Sequence, residues 1–358
     1  MLPEMDQQVM RQIMSGSRRG LAASVLRGVL AAAAGPYAGA MRLRRWMYRR
    51  ALLPSRRADV PVICIGNITT GGTGKTPMVA WVVGKLKQAG RNPAILTRGY
   101  KPAGGKSDEA ELLERLCDAP VVVGGDRLAG AARAIARGAD VLVMDDGFQH
   151  RRLRRDVDIV LIDATNPFGY GHCLPRGLLR EGPRALREAH AIVITRSDAV
   201  TDDELDTLRQ RIVLLAPGVS IHLAVHRPTK LISPDDRHLP PTTLVSRKAF
   251  AFCGLGNPEA FFTTIGLVGV ELAGRRALDD HARYDSATAD ALSDQARAAG
   301  AQVLLTTQKD AVKSGAAGFS LPVWQLVVEI EITEGAAELI QKLQTVACSR
   351  KLCVGSGV

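Results

Sequence analysis

A glycine-rich loop at residues 71–76, which ends in Lys75 and Thr76, constrains the fold and chemistry of this chain more than any other feature. The loop follows a β-branched apolar run at residues 60–65 and precedes a segment at 77–89 that has the composition of a helix. Glycines let successive backbone N–H groups turn towards an anion, and the N-terminus of a following helix adds partial positive charge. The sequence therefore predicts a strand, a phosphate-binding loop and a helix, in an order typical of nucleotide-binding proteins.

The residue types at the end of the loop predict individual roles. In loops of this kind the lysine reaches the β- and γ-phosphates and the hydroxyl of the next residue binds Mg²⁺, which assigns these roles to Lys75 and Thr76. The usual pattern G-x-x-x-x-G-K-[ST] begins with glycine, whereas this chain has Thr69 there and Gly66 three residues earlier. The predicted nucleotide-binding residues are Thr69, Thr70, Gly71, Gly72, Thr73, Gly74, Lys75 and Thr76. A turn that binds nothing is the alternative, and the flanking strand and helix patterns argue against it.

The positive charge of the chain is concentrated at its N-terminus. The net charge is +11 over 358 residues, a length that suits two domains. Residues 1–57 hold eleven arginines, no lysine and two acidic residues, a net charge of +9 that leaves +2 for the rest. A nucleic-acid-binding protein more often spreads its basic residues over a domain face, so this class is disfavoured and no nucleic-acid partner is expected.

The six cysteines have no spacing that indicates a metal site or a disulfide framework. No two of them form a C-x-x-C pair, and no histidine cluster accompanies them in the sequence. We therefore expect reduced thiols, a cytosolic compartment and no zinc site.

The basic N-terminal segment is also apolar in part. Residues 21–41 are rich in Ala, Leu and Val, although Arg27 and Pro36 interrupt them, and they are borderline in length and hydropathy for a membrane span. In residues 42–50 a helix would place Leu43 and Trp46 on one face and arginines on another. Such a helix suits an anionic lipid interface. A helix packed on the protein's own core, with a solvated basic face, remains the second interpretation.

The rest of the chain alternates strand-like and helix-like runs. The strand candidates are residues 60–65, 93–96, 120–123, 141–144, 159–162 and 191–195. Apolar strands separated by helices predict an α/β fold with a parallel sheet covered by helices, in which ligands gather at the carboxyl ends of the strands. A polar, proline-rich stretch at 226–241 predicts a junction, and a smaller α/β domain follows it. The expected segments are 1–57 (N-terminal, basic and apolar), 58–225 (nucleotide-binding core), 226–348 (smaller domain) and 349–358 (tail).

Acidic residues follow one of the buried strands. Asp145 and Asp146 come directly after the apolar run at 141–144, where a P-loop protein binds its metal, so we expect one of them to hold Mg²⁺ directly or through water. Asp108 is a candidate for orienting or deprotonating a hydroxyl, although a helix N-cap is the simpler interpretation. His281 is a single histidine in a polar loop, which is more often a plain surface residue.

Taken together, these motifs resemble those of the tetraacyldisaccharide 4′-kinase family, the lipid A kinases of Gram-negative bacteria. The resemblance runs from the N-terminal segment to about Lys313. The segments that match the family are Gly66-Asn67, Gly71 to Pro77, Thr97-Arg98-Gly99-Tyr100, Asp108-Glu109, Asp145-Asp146-Gly147-Phe148-Gln149-His150, Leu174-Pro175 to Arg180-Glu181, Phe252 to Pro258, Asp280-His281 and Thr306 to Lys313. The order and joint presence of these motifs make the resemblance specific.

The resemblance implies a reaction and its participants. The γ-phosphate of ATP would pass to the 4′-hydroxyl of a tetraacylated glucosamine disaccharide 1-phosphate, giving lipid IVA in lipopolysaccharide biosynthesis. Asp108 and His281 match a catalytic pair from two domains, and the metal-binding residues would be Thr76, Asp145 and Asp146. Arg127, Arg180 and Glu181 match further site residues. The N-terminal helix would associate with an anionic membrane at the cytoplasmic face of the inner membrane, and a monomer is favoured.

A P-loop switch or partitioning ATPase recruited to a membrane is the second hypothesis. Thr195-Arg196-Ser197-Asp198 follows a strand and resembles the guanine-reading pattern [NT]-K-x-D, with Arg196 in the lysine position. A switch has no need for a second domain that carries His281, which favours the kinase.

Overall fold

The structure is a computed structural model that describes residues 7–99, 108–279, 282, 284–314 and 318–348. The chain divides into two compact units. Unit 1 comprises Met1–Arg98, Pro120–Val225 and Ile332–Val358, and unit 2 comprises Gly99–Ala119 and His226–Glu331. The expected segment boundaries at residues 57, 225 and 348 stay predictions.

Helices and strands alternate along most of the chain. The helices are α1 (Gln7–Ser15), α2 (Leu21–Arg49), α3 (Lys75–Gln88), α4 (Asp108–Cys117), α5 (Arg127–Ala136), α6 (Asp202–Leu215), α7 (Pro258–Val268), α8 (Ser286–Ala298), α9 (Gln308–Ser314) and α10 (Ala336–Cys348). The strands are β1 (Val62–Asn67), β2 (Pro93–Thr97), β3 (Val121–Val123), β4 (Val141–Asp145), β5 (Val157–Asp163), β6 (Ala191–Thr195), β7 (Ser220–Ile232), β8 (His238–Leu239), β9 (Lys248–Cys253), β10 (Glu271–Ala277), β11 (Val303–Thr307) and β12 (Val323–Glu334).

Unit 1 is built on a parallel sheet with strand order β7-β6-β5-β1-β4-β2-β3. Every residue of β1, β2, β4, β5 and β6 is buried, because helices cover both faces of the sheet. The Val- and Ile-rich runs of the sequence supply these strands, since β-branched side chains pack well on a pleated surface. The predicted α/β fold with a helix-covered parallel sheet is confirmed.

The strand order brings two predicted motifs together. Strand β1 lies between β4 and β5, and Ile65 pairs with Asp145 across the β1–β4 ladder. Parallel neighbours end at the same edge of a sheet, so the glycine-rich loop after β1 and the Asp145–Asp146 pair at the end of β4 lie side by side.

Unit 2 contains a second parallel arrangement, with strand order β10-β9-β11-β12. Its cores hold Phe250 and Phe252 of β9 and Leu292 of α8 on one side, and Phe261 and Ile265 of α7 on the other. The predicted smaller α/β domain is therefore present. Residues 108–117, which precede β3 in sequence, belong to this unit as α4 and pack against α9.

The stretch predicted as a junction, residues 226–241, begins where unit 1 gives way to unit 2 in the sequence, and much of it is strand. Strand β7 continues to Ile232 and pairs antiparallel with β8 through Leu231 and Leu239. Burial alternates along residues 226–230, which are part-buried or exposed in turn, while Leu231 is fully buried. Polar side chains on the outward face of an extended strand gave this segment the composition of a loop.

Helix α2 joins the two predicted parts of the N-terminal segment into one element of 29 residues. At 1.5 Å per residue it is about 43 Å long. Of the helices that the structure describes, α2 alone is long and apolar enough to cross a membrane. In its most apolar 18-residue stretch, 6% of the residues are buried. Of its side chains, Ala23 and Ala34 are buried, whereas Leu21 is 83% exposed.

Gly66 near the end of β1 allows Phe148 to approach the strand closely. A Cβ atom at Gly66 would lie 2.6 Å from the Cβ of Phe148, which is fully buried. We expect Gly66→Ala to lower the free energy of unfolding by about 1–3 kcal/mol, as other overpacked cores do. Urea unfolding of the purified protein measures this loss.

Gly84→Ala is the matched control, because Gly84 lies inside α3 and an added Cβ there meets open space. Alanine is favoured over glycine in a helix interior, so this change should stabilise the protein by about 0.5–1 kcal/mol. Equal midpoints for Gly66→Ala and the unsubstituted protein would contradict the close approach.

Candidate active site

The glycine-rich loop has the geometry of a phosphate-binding loop. Gly71 and Gly74 have φ angles of 119° and 88°, a left-handed region that side chains disfavour. Gly74 is the N-cap residue of α3, and no side chain of the described residues caps this helix, so the N–H groups of its first turn stay available to an anion. Lys75 and Thr76 are the first two residues of α3, which begins two residues before the predicted helical segment at 77–89.

Hydrogen bonds from two other segments of unit 1 hold the loop. The backbone N–H of Thr70 donates to the carbonyl of Leu178 at 2.7 Å. On the other side, the Thr195 hydroxyl donates to the carbonyl of Thr73 at 3.1 Å and Arg196 Nη2 donates to the carbonyl of Gly72 at 2.9 Å. Arg196, which resembles part of a guanine-reading motif in the sequence, is thus engaged in supporting the loop.

Asp146 is shared by two cations. Both of its carboxylate oxygens accept from Arg180 Nη1 at 2.9 Å, and Lys75 Nζ lies 3.7 Å from Oδ1. Burial alone would raise the pKa of Asp146, but Lys75 and Arg180 outweigh it and hold the pKa below its ordinary value. Asp146 is therefore ionised at neutral pH, and it joins Lys75 of the loop to Arg180. The roles of these residues in a reaction stay predictions.

Two polar residues of this cluster escaped the sequence analysis as individual site residues. Gln149 Nε2 donates to the backbone carbonyl of Asn67 at 2.9 Å, and Arg180 Nη1 lies 3.4 Å from Gln149 Oε1. The buried Asn67 amide in turn donates to the hydroxyl of Thr73 at 3.0 Å. Their position in the sequence could have identified both residues, because polar residues that follow buried parallel strands line a ligand site.

Asp145 is the last residue of β4 and is 8% exposed. Its Oδ2 atom accepts from the hydroxyl of Thr97, the last residue of β2, at 3.3 Å. Among the described residues no group of three or more His, Cys, Asp or Glu side chains converges as a metal site would. Mg²⁺ ligation by Thr76, Asp145 and Asp146 stays a prediction.

Arg127 interacts electrostatically with both Asp145 and Asp146. It is the first residue of α5, is 4% exposed and donates to the carbonyl of Gly124. Burial lowers the pKa of the Arg127 guanidinium, while Asp145 and Asp146 act in the opposite direction. A buried arginine beside carboxylates is a fixed positive charge at the edge of the sheet.

Arg180 and Glu181 have different partners although they are adjacent in sequence. Glu181 is 2% exposed, and its Oε2 atom accepts from Arg151 Nη2 at 3.2 Å. Burial raises the pKa of Glu181 even though Arg151 opposes that shift. Arg151 also pairs with Glu188. The structure brings Arg180 to Asp146, and it places Glu181 in a separate buried ion-pair group.

Of the predicted Asp108–His281 pair, the structure describes Asp108. Asp108 begins α4 in unit 2, where its charge favours the helix N-terminus. The neighbouring Glu109 lies 3.8 Å from Lys309 Nζ of α9. His281 lies outside the described residues, so the pairing stays a prediction.

His150 gives the stability of unit 1 a pH dependence. Burial and the nearby Arg127 lower the pKa of His150 from its ordinary value of 6.5 to about 4. Between these two pH values the folded protein keeps the imidazole neutral, whereas the unfolded chain binds a proton there. The free energy of unfolding should therefore be highest above pH 6.5 and fall as the pH drops towards 4.

Urea unfolding between pH 8 and pH 4.5 checks this dependence. His150→Gln, which cannot take up the proton, should show a shallower loss of stability below pH 6.5 than the unsubstituted protein. Parallel curves for the two proteins would contradict the buried neutral histidine.

Comparisons with known proteins agree on one family. The family model described as tetraacyldisaccharide-1-P 4′-kinase matches residues 26–346. A tetraacyldisaccharide 4′-kinase of Anaeromyxobacter dehalogenans strain 2CP-C is 39% identical over 326 residues, which cover 84% of this chain and 85% of the relative. A second, from Syntrophus aciditrophicus, is 39% identical over 322 residues, 81% of this chain and 85% of the relative.

The fold of this chain is also similar to a solved structure. The crystal structure of the "apo" form of LpxK from Aquifex aeolicus in complex with ATP aligns with a TM-score of 0.70 at 27% sequence identity. The alignment covers 90% of this chain and 99% of that one. With the family model matching nearly the whole chain and the loop, aspartates and arginines arranged as described, this chain belongs to the tetraacyldisaccharide 4′-kinase family.

Proposed function

We propose that this chain transfers the γ-phosphate of ATP to the 4′-hydroxyl of tetraacyldisaccharide 1-phosphate and so forms lipid IVA in lipid A biosynthesis. Membership of the 4′-kinase family supports this reaction. The observation that carries it is the Asp146 carboxylate held between Lys75 and Arg180, directly beside an uncapped helix N-terminus. That arrangement concentrates positive charge where a nucleotide's terminal phosphates would lie.

Phosphoryl transfer depends on alignment and charge neutralisation more than on covalent chemistry. The backbone N–H groups of residues 71–76 and the Lys75 ammonium would hold the β- and γ-phosphates. Arg180, which shares the carboxylate of Asp146 with Lys75, would keep the lysine directed along the loop. Arg127 contributes further fixed positive charge near the same aspartates.

The oxygen atoms present suit Mg²⁺. The Thr76 hydroxyl and a carboxylate of the Asp145–Asp146 pair would hold the ion, and phosphate oxygens and water would complete its coordination, since Mg²⁺ keeps few protein ligands in such sites. Asp146 is ionised at neutral pH, as a ligand must be. When bound, the ion would neutralise charge on the transferred phosphate.

Asp108 and His281 would activate the acceptor. By the family resemblance, Asp108 would accept the proton of the 4′-hydroxyl as the oxygen attacks, and His281 would orient or polarise the carboxylate. We expect Asp108→Asn and His281→Ala each to lower kcat about 10²- to 10⁴-fold. Asp290→Asn, at an exposed position of α8, is the matched control and should leave kcat unchanged. Near-normal activity of both site variants would contradict the pair.

A substrate with acyl chains would be embedded in a membrane, so the enzyme would act at a membrane surface. Helix α2 exposes Leu21, Val25 and Val29 at four-residue spacing, which forms an apolar stripe. A cavity of about 480 Å³ near its C-terminal half is lined by Arg42, Arg45, Gly182, Pro183, Arg184 and Leu215. Arginines beside apolar surface suit anionic headgroups, which supports association with the cytoplasmic face of the inner membrane.

The direct test uses ATP labelled on its γ-phosphate, Mg²⁺ and the acylated disaccharide 1-phosphate in detergent micelles. The expected result is a labelled lipid with two phosphates, one of them at the 4′ position. Lys75→Met, which removes the ammonium but keeps a long apolar stem, should lower the rate about 100-fold or more. Failure of the unsubstituted enzyme to label this lipid, or labelling at another hydroxyl, would overturn the proposal.

A further inference from the structure

Helix α2 contacts the candidate active site directly, although most of its surface is exposed. The Tyr37 hydroxyl donates to the backbone carbonyl of Arg180 at 3.1 Å, and Arg44 Nη1 donates to the backbone carbonyl of Gln149 at 2.9 Å. The two donors are seven residues apart, nearly two helical turns, so they project from the same face. This face of α2 is turned to the protein and not to its surroundings.

The two carbonyls belong to residues whose side chains organise the site. The Arg180 guanidinium holds both oxygens of Asp146, which lies 3.7 Å from Lys75. The Gln149 amide donates to the carbonyl of Asn67, the last residue of β1 before the loop. Each contact of α2 is therefore made to the backbone of a residue whose side chain helps to fix the phosphate-binding loop or its lysine.

Tyr37 stays a neutral donor, and a neighbouring ring holds Arg44 in place. Burial raises the pKa of Tyr37, with Cys173 adding to the shift and Arg180 opposing it, so the phenol remains a neutral donor. The Arg44 guanidinium lies over the ring of Tyr48, 5.3 Å from its centroid. A guanidinium stacked on an aromatic face keeps its donors directed along a fixed plane.

We propose that Tyr37 and Arg44 are positioning residues through which the membrane-associating helix fixes the phosphate-binding loop. Helix α2 then has two roles: it meets the lipid surface, and it sets the backbone of Arg180 and Gln149. Displacement of the helix would loosen Asp146 and Lys75 even when the lipid substrate is presented away from a bilayer. The kinetic part of this inference rests on the proposed 4′-kinase activity.

The inference predicts a loss in rate rather than in lipid binding. Tyr37→Phe removes one hydroxyl and keeps the ring, and Arg44→Met removes the donors and keeps the stem. Phosphoryl transfer is sensitive to small misplacements of the groups that align it. In the micellar assay we expect each variant to lower kcat about three- to tenfold, with KM for the lipid and binding to anionic phosphatidylglycerol vesicles unchanged.

Tyr170 and Arg27 provide matched controls. Tyr170→Phe also removes a phenolic hydroxyl, and the Tyr170 hydroxyl makes no hydrogen bond to any described residue. Arg27→Met removes an arginine that likewise donates to a backbone carbonyl, that of Arg18 at 2.8 Å, far in sequence from the site residues. Both controls should keep the kcat of the unsubstituted enzyme, and melting temperatures of all four variants report whether each is folded.

A second measurement does not depend on kinase activity. Hydrogen–deuterium exchange of the full chain should show faster exchange of the amides at residues 69–76 in the Tyr37→Phe/Arg44→Met double variant, and no change in Tyr170→Phe/Arg27→Met. Unchanged exchange of these amides would overturn the positioning role, and so would a loss confined to lipid KM or vesicle binding. If the unsubstituted enzyme does not label the lipid, the proposed function fails, while the exchange result still decides this inference.

Discussion

The carboxylate of Asp146, held between Lys75 and Arg180, is the interaction on which the candidate site depends. It joins three segments that are distant in sequence: the glycine-rich loop, the end of β4 and the loop before Glu181. Burial alone would favour the protonated acid, and two nearby cations reverse that preference. Removing either cation would leave a partly buried negative charge with one partner, which is costly. The site is therefore an electrostatic unit and not a set of independent residues.

The sheet makes this unit possible. Parallel strands β1 and β4 are neighbours, so the phosphate-binding loop and the aspartate pair emerge at one edge. The segment at 178–180 reaches the same edge, because Leu178 accepts from Thr70 and the Arg180 N–H donates to the carbonyl of Ile68 at 2.8 Å. A loop that is fixed on both sides needs little rearrangement to meet an anion, which is how preorganised sites stabilise developing charge.

Much of this could be predicted from sequence, for identifiable reasons. The loop at 71–76 and the aspartates at 145–146 are local motifs, and their chemistry can be inferred from the residues alone, without knowledge of the fold. Gln149 and Thr195 were missed as loop-supporting residues because their roles depend on which strands are neighbours, and that information is not local. Residues 226–232 were not recognised as strand, because the outward face of β7 is polar there. Neighbouring Arg180 and Glu181 were assigned together, whereas their side chains serve different ion pairs.

The most direct test of the electrostatic unit is a double-mutant cycle on ATP-dependent lipid phosphorylation, with Arg180→Met, Asp146→Asn and the two combined. If Asp146 acts with Arg180, the combined variant should lose little more activity than the more damaged single variant, a coupling of at least about 1 kcal/mol in transition-state free energy. Losses that simply add, within about 0.3 kcal/mol, would show that the two residues act independently and would contradict the account.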